Sequence, residues 1–286
     1  MYNKSLWEAF LFPPIHIDRR RLEAKLKGKT ILITGASSGI GEELAYQLAE
    51  IDCHLILVAR TEEKLIRVKQ EIEQKEAKVS IFRADLRDPE KVMELLKFIH
   101  QLPDGLDLFV SNAGLSIKRS INDSLDRYHD FTRTMAINYF APVQLLLSLI
   151  PLLEKNKGHI INLSTINVLL LPVPHWAAYQ ASKSAFDTWF RAAASELNAM
   201  GIATSSVYLP LVRTPMILPT EAYQKLPAMS PEHVGKIVSK LIYTQKPKYR
   251  PWWLLPGQFV SIMFRGIWEF AAPAILRKRK QGRHHG

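Results

Sequence analysis

Two side chains four residues apart carry the strongest chemical signal in this sequence: Tyr179 and Lys183, in Tyr179-Gln180-Ala181-Ser182-Lys183. On a helix, positions i and i+4 share a face, so the ammonium sits close to the phenol. At about 4 Å and an effective dielectric of about 20, a unit charge is worth about 4 kcal/mol, or about three pKa units before desolvation and screening. That brings a phenol from about 10 toward neutrality, where it exchanges a proton with a carbonyl or alcohol oxygen. Alone, such a pair is an ordinary helix-surface neighbourhood, so other residues must decide whether it is a site.

A second signal is the turn Thr34-Gly35-Ala36-Ser37-Ser38-Gly39-Ile40-Gly41, between an apolar run and a helical one. Glycines at 35, 39 and 41, with Ser37, Ser38 and Ile40 between them, let backbone approach a pyrophosphate whose charge is favoured at a helix N-terminus. The next β-like run ends in Ala59-Arg60, where folds that prefer the unphosphorylated dinucleotide place an acid. A guanidinium there pairs with a 2′-phosphate, which makes NADPH/NADP the expected cofactor rather than NADH. Asp85, in Ala84-Asp85-Leu86, either accepts from the adenine amino group or caps a turn.

These residues need a scaffold, and the pattern supplies one. Strands are expected at Thr30–Thr34, His54–Ala59, Val79–Arg83, Leu106–Ser111, His159–Ser164, Ile202–Leu209 and Tyr249–Leu255. Helices are expected at Glu42–Glu50, Glu62–Glu76, Pro89–His100, Leu125–Leu153, Tyr179–Met200 and Pro231–Thr244. Nearly continuous apolar strands alternating with helices imply a parallel sheet covered on both faces. The expected architecture is α/β: a Rossmann-type, doubly wound sheet of about seven strands in a single domain. Residues 28–250 form that domain, with extensions at 1–27 and 251–286.

The ordered motifs resemble the classical short-chain dehydrogenase/reductase family across about residues 28 to 245. They are the glycine turn, Ser111-Asn112-Ala113-Gly114, Asn138 in Met135-Ala136-Ile137-Asn138-Tyr139-Phe140, and Tyr179-x-x-x-Lys183. The resemblance implies hydride transfer at a nicotinamide. Tyr179 would be the general acid in reduction, Lys183 would lower its pKa and bind the nicotinamide ribose, and Asn138 would hold a relay water. Asn112, Ala113 and Gly114 would line the cofactor wall, with Asp85 and Leu86 at its adenine end. Strand register from Gly158 puts the substrate-orienting hydroxyl on Thr165, with Ser164 the alternative, because the connection to Tyr179 is one residue longer than usual. Val212 would offer backbone and Thr214 a hydroxyl to the carboxamide, and Pro210 stands where the family has glycine. Leu209–Met216 and Arg133–Phe140 also look similar to the reductase domain of bacterial fatty acyl-CoA reductases.

Leu169, Leu170, Leu171, Val173, Trp176, Leu211, Met216, Ile217 and Leu218 fall around the expected site. They point to a lipophilic carbonyl substrate, with no Arg or Lys cluster awaiting an anion. A secondary-alcohol or hydroxysteroid-type dehydrogenase is the rival enzyme, and a non-catalytic nucleotide sensor or scaffold the rival of another class.

Charge and cysteine content narrow the setting. The chain of 286 residues carries +11, of which +4 lies in residues 1–30 and +8 in 246–286, leaving −1 between them. Leu6, Trp7, Phe10, Leu11 and Phe12 precede Arg19-Arg20-Arg21, and Trp252, Trp253, Phe259, Phe264, Trp268 and Phe270 precede Arg277-Lys278-Arg279-Lys280. Apolar rings beside cations suit an anionic membrane surface on the cytoplasmic face, and they suit equally packing at a subunit interface or over the substrate mouth with the charges solvated; the first is the expectation. The uncharged run Pro251–Phe264 is too short and too broken to span a bilayer. A basic run without a recognition motif does not mark nucleic-acid binding. One cysteine, Cys53, excludes an internal disulfide, and no metal-ligand spacing occurs. A homo-oligomer through the two long helices is the family expectation.

Overall fold

The computed structural model describes residues 6–217, 223 and 225–281. Short helices α1 (Leu6–Leu11) and α2 (Arg19–Leu26) precede the alternating body. That body runs β1 (Thr30–Thr34), α3 (Gly39–Leu48), β2 (His54–Ala59), α4 (Glu62–Ile72), β3 (Lys78–Arg83), α5 (Pro89–His100) and β4 (Leu108–Ser111). It continues with α6 (Tyr128–Met135), α7 (Ala141–Lys155), β5 (His159–Thr165), α8 (Ala177–Ala199), β6 (Ala203–Leu209), α9 (Pro231–Thr244) and β7 (Lys248–Tyr249). Two further helices, α10 (Leu254–Met263) and α11 (Arg265–Gln281), follow.

The seven strands pair in parallel in the order β3-β2-β1-β4-β5-β6-β7. Strand order reverses between β1 and β4, and the crevice beyond their carboxyl ends is where such sheets bind ligands. Alternation of side chains splits the apolar runs between two cores. Ile31, Ile33, Leu55 and Leu57 pack with α3 and α9, whereas Leu32, Ile56, Val58 and Phe109 pack with α5, α7 and α8. Buried Cys53 belongs to the first core, and burial pushes its thiol up to about 12.

The N-terminal extension is part of this packing. Phe12, Leu22 and Leu26 are buried in the first core, and Arg21 lies 5.0 Å over the Tyr243 ring of α9. The Glu8 carboxylate, 8% exposed, pairs with Arg213 and accepts from the Ala228 N–H at 3.2 Å.

Three boundaries differ from expectation for physical reasons. The last strand stops at Tyr249 and Leu254 begins a helix, because Pro251 has no N–H for the ladder. The expected helix over 125–153 starts at Tyr128 and contains a π turn, Ala136–Phe140, closed by Ala141 N–H to Ala136 O. Pro142 cannot donate to the carbonyl four residues back, which releases that turn from α geometry. Helix α3 starts at Gly39 rather than Glu42, so its first turn is made of the glycine motif itself.

Candidate active site

At the carboxyl ends of the strands, one cavity of ≈ 900 Å³ gathers nearly every residue singled out by sequence. Its lining includes Gly35, Ser37, Ser38, Gly39 and Ile40 from the first turn, and Arg60, Asp85 and Leu86 from the next two. Asn112, Ala113 and Gly114 follow β4, Ser164 and Thr165 end β5, Tyr179 and Lys183 stand on α8, and Val212 and Thr214 follow β6. Gly41 and Asn138 lie just behind this wall.

The turn after β1 has the form a dinucleotide pyrophosphate requires. Gly35 and Gly39 have φ of 69° and 63°, the left-handed region that favours glycine. A Cβ on Gly41 would lie 2.5 Å from the Gly35 carbonyl oxygen, so this glycine seats α3 on the turn. Ser38 precedes the helix with its hydroxyl unused as a cap, leaving the first-turn N–H groups facing the cavity. Asn112 fixes the turn from the other side: its Nδ2 donates to Thr34 O (2.8 Å) and Gly35 O (3.1 Å). Thr34 Oγ1 completes the joint by accepting from the N–H groups of Asn112 and Ala113, each at 3.1 Å. The amide of Asn112 is thus spent on backbone, and it shapes the wall rather than reaching into it.

At the far end of the cavity, Arg60 is exposed beside Lys64 and Arg87. Asp85 is gripped by Arg87, whose Nη2 donates at 2.5 Å and Nε at 3.0 Å, and the Arg87 N–H adds a bond at 3.0 Å. These contacts, with Arg60 nearby, hold the Asp85 carboxyl below the usual range. Of the two readings of Asp85 from sequence, the turn cap is the one seen, and most of its accepting capacity goes to Arg87. Sequence reasoning missed Arg87 and Lys64, although both follow strand ends.

At the catalytic end, the strand alternation of β5 separates the two candidate hydroxyls. Thr165 lines the cavity beside Tyr179, where its hydroxyl favours the charged form of the phenol, and it accepts from the Asn167 N–H at 3.3 Å. Ser164 instead donates to Asp187 at 3.4 Å, beneath α8. Geometry therefore puts Thr165, and not Ser164, beside the phenol, in the register that the sequence favours. Burial pushes Tyr179 up to about 12, opposed by the Thr165 hydroxyl. The downward shift expected from Lys183 is therefore not what the site displays, because desolvation outweighs it. Lys183 itself is brought down to about 8 by burial, against the opposing charge of Asp187. Its Nζ donates to Leu163 O at 3.2 Å, and a Cβ on Gly114 would lie 3.4 Å from it.

Asn138 sits at the π turn and is 1% exposed. Its Nδ2 donates to Leu115 O and Ser182 Oγ, both at 2.9 Å, and its Oδ1 accepts from Leu115 N–H at 2.9 Å. Both amide hydrogens are committed to protein, so Asn138 clamps residue 115 to α8 instead of presenting a donor to a relay water. Val212 O accepts from the Thr214 N–H at 2.8 Å, and Val212 bridges Met229, which holds this loop against the body.

The apolar wall is formed by Val173, Trp176, Leu211, Met216, Ile217, Tyr223 and Leu226, whereas Leu170 lines a neighbouring outer cavity of ≈ 1500 Å³. Leu169 and Leu171 line neither, and Leu218 lies outside the described residues. Trp176 stands edge-on to Tyr179 at 5.4 Å and stacks on Tyr223 at 6.0 Å. Gln180 secures the intervening loop, its Nε2 donating to Asn167 O (2.7 Å) and its Oε1 accepting from Val173 N–H (3.0 Å).

Asp187 is a site residue that sequence reasoning overlooked. It is 3% exposed, bonds Ser164 and Tyr208, and sits one helical turn beyond Lys183. Its charge favours the ammonium form of Lys183. Asp187→Asn removes that support, so the Lys183 pKa falls. Any activity needing the ammonium then loses its alkaline limb at lower pH, which a kcat/KM profile against pH measures. An unmoved limb would show that Asp187 serves packing alone.

Known proteins agree with this geometry. The short chain dehydrogenase family profile matches residues 29–225. A fatty acyl-CoA reductase of Acinetobacter baylyi is 44% identical over 234 residues, covering 80% of this chain and 79% of that protein. A fatty acyl-CoA reductase of Mycobacterium tuberculosis is 39% identical over 220 residues, covering 76% and 75%. Among solved structures, a metagenomic short-chain oxidoreductase in complex with NADP is 26% identical, with a TM-score of 0.67 over 79% of this chain and 97% of that one. A dehydrogenase/reductase from Sinorhizobium meliloti is 27% identical, with a TM-score of 0.71 over 81% and 94%. Sheet order, glycine turn and family match lead to one conclusion: the chain belongs to the short chain dehydrogenase family and is an oxidoreductase.

Proposed function

We propose that the protein reduces the carbonyl of a lipophilic, fatty acyl-type substrate with NADPH. The observation that carries this reading is the gathering of Thr165, Tyr179 and Lys183 in one cavity walled by Trp176, Val173 and Leu211. Bound NADPH would supply the hydride to the carbonyl carbon. Thr165 orients the carbonyl oxygen, and Tyr179 delivers its phenolic proton to that oxygen as negative charge develops there. Burial keeps the phenol protonated through the neutral range, the form that donates to a carbonyl oxygen. Lys183 positions the nicotinamide ribose and stabilises the phenolate left behind. The glycine turn, with two residues at positive φ and the N-terminus of α3 at the cavity, fits the pyrophosphate; Arg60, Lys64 and Arg87 fit a 2′-phosphate. The fatty acyl-CoA reductase relatives support the substrate class.

The test is NADPH oxidation over aldehydes and acyl thioesters of graded length. With about 0.8 kcal/mol per buried methylene, kcat/KM is expected to rise about fourfold per added CH₂ until the apolar wall is filled. A response flat in chain length would remove the lipophilic assignment.

The same reading places the enzyme on the cytoplasmic side of an anionic membrane. Among the described residues, Tyr128–Lys155 is long and apolar enough to cross a bilayer, but Leu145, Leu146, Leu149 and Leu153 bury it against the sheet. The pair α10 and α11 passes the same criterion only as one rod, and it is bent by 81°. Its exposed Phe259, Ile262, Phe264 and Phe270, with Arg265 and Arg277, suit a pair lying in the interface. Phe10 and Trp252 join α1 to the same surface through an edge contact at 5.0 Å. Replacing apolar side chains of that face by acids in Phe259→Asp/Ile262→Asp/Phe270→Asp is expected to abolish flotation with anionic liposomes. These side chains are 68%, 75% and 89% exposed, so the fold does not depend on them. Undiminished flotation would refute the contact. A homo-oligomer completes the reading, through exposed Tyr128, Phe140 and Leu147 on the α6–α7 side.

A further inference from the structure

Beside the catalytic cavity, an excess of positive charge converges on one buried acid. Asp130, 1% exposed, meets Arg119 Nε at 2.8 Å, Arg133 Nη2 at 2.7 Å and Arg127 Nε at 3.7 Å, with His129 at 3.5 Å. One carboxylate is thus shared by three guanidiniums, which leaves a local excess of two positive charges. Lys118 adds another cation, extended over the Tyr223 ring at 5.2 Å, and against these stand Asp123 and Asp126 of the same loop, so that residues 118–133 carry four cations and three acids. These cations are not spread at random over the surface. Arg119 and Arg133 line the catalytic cavity, and Lys118 and Arg119 line both that cavity and the outer one of ≈ 1500 Å³. Asp123, an acid in the lining of the outer cavity, is tied to Ser120 Oγ at 2.6 Å.

We propose that Lys118, Arg119 and Arg133 form an anion subsite at the junction of the two cavities, taking the phosphate groups of a coenzyme A-type carrier bound to the acyl substrate. The inference rests on the fatty acyl reading above and specifies which form of the substrate the site is built for. Anchoring the 115–127 loop to α6 needs one guanidinium on Asp130; the surplus is explained by a ligand that brings negative charge. The dinucleotide's own phosphates are served elsewhere, by the glycine turn and by Arg60, Lys64 and Arg87. A free aldehyde would leave this charge unanswered. A thioester with its carbonyl at Tyr179 must lead its carrier out of the catalytic cavity, and the outer cavity, continuous through Lys118, Arg119, Asn167 and Val173, gives it room. The far wall of that cavity includes Leu276 of the last helix, and Ser261 Oγ accepts from the Leu171 N–H at 3.0 Å. The terminal helices therefore help to enclose it.

The experiment is calorimetric titration of coenzyme A, pantetheine and palmitate into the full-length protein with saturating NADP⁺. Wild type is compared with Lys118→Glu and Lys118→Arg. Coenzyme A affinity is expected to fall about tenfold or more in Lys118→Glu, to survive in Lys118→Arg, and to weaken with added salt. Pantetheine, which lacks phosphate, should not distinguish the three proteins. In turnover, the ratio of KM for palmitoyl-CoA to KM for hexadecanal is expected to rise about tenfold in Lys118→Glu. Equal coenzyme A affinity in all three proteins would overturn the subsite. So would a loss confined to palmitate, which would assign the charges to a fatty carboxylate. If neither palmitoyl-CoA nor hexadecanal is reduced, the catalytic reading fails, while the titration still decides the subsite.

Discussion

Tyr179→Phe is expected to lower kcat/KM for carbonyl reduction by about 10²–10⁴-fold, the range for loss of a positioned general acid. The ring packs unchanged against Trp176, so the fold and the apolar wall are retained. What disappears is the phenolic hydroxyl, the proton donor assigned to the cavity that Thr165 and Lys183 also line. Single-turnover NADPH oxidation, with fluorescence-detected NADPH binding as the control, separates this loss from damage to the cofactor site. A mutant as fast as wild type would mean that the reacting oxygen takes its proton from another group.

The second large effect concerns coenzyme choice. Arg60, Lys64 and Arg87 face the adenosine end of the cavity against the single charge of Asp85, and Arg87 already commits part of its fork to that carboxylate. Each charge-assisted hydrogen bond to a phosphate contributes about 1.5–3 kcal/mol. Arg60→Ala/Arg87→Ala is therefore expected to reduce the kcat/KM preference for NADPH over NADH about 100-fold or more, mainly through KM for NADPH. Preference preserved in the double variant would place the 2′-phosphate elsewhere, or remove it from the account.

How far sequence alone reaches is clear from where these residues sit. The glycine turn, the strand-end Arg60 and the Tyr179/Lys183 pair were legible because local spacing fixes their geometry: a tight turn, a strand terminus and one helical face. Even the choice of Thr165 over Ser164 followed from the alternation of a strand. The Asp130 cluster escaped because its members come from a loop and a helix, and ion pairing across them has no period. That is why the sequence read as lacking a basic cluster near the substrate, whereas the fold brings Lys118, Arg119 and Arg133 to its rim. Asp187 was hidden for a related reason. An acid in mid-helix looks like a solvent-facing residue until the helix is packed and its side chain proves buried. The Coulomb figure for Tyr179 was given before desolvation, and burial, which only packing reveals, is the largest influence on that phenol. The extensions were read as appendages because their aromatic content suits a surface as well as a core, and only packing shows Phe12, Leu22 and Leu26 inside.

The ion pair between Glu8 and Arg213 has a structural consequence. Arg213 lies between Val212 and Thr214, which line the cavity, and Glu8 also holds the N–H of Ala228, next to the Val212 bridge at Met229. The first helix is thus tied by one carboxylate to the segment that carries Val212 and Thr214 into the cavity wall. Its outer face carries Trp7 and Phe10, 70% and 59% exposed, less than two turns from that carboxylate. Through Glu8, those rings and the segment that carries Val212 and Thr214 are joined by a single side chain.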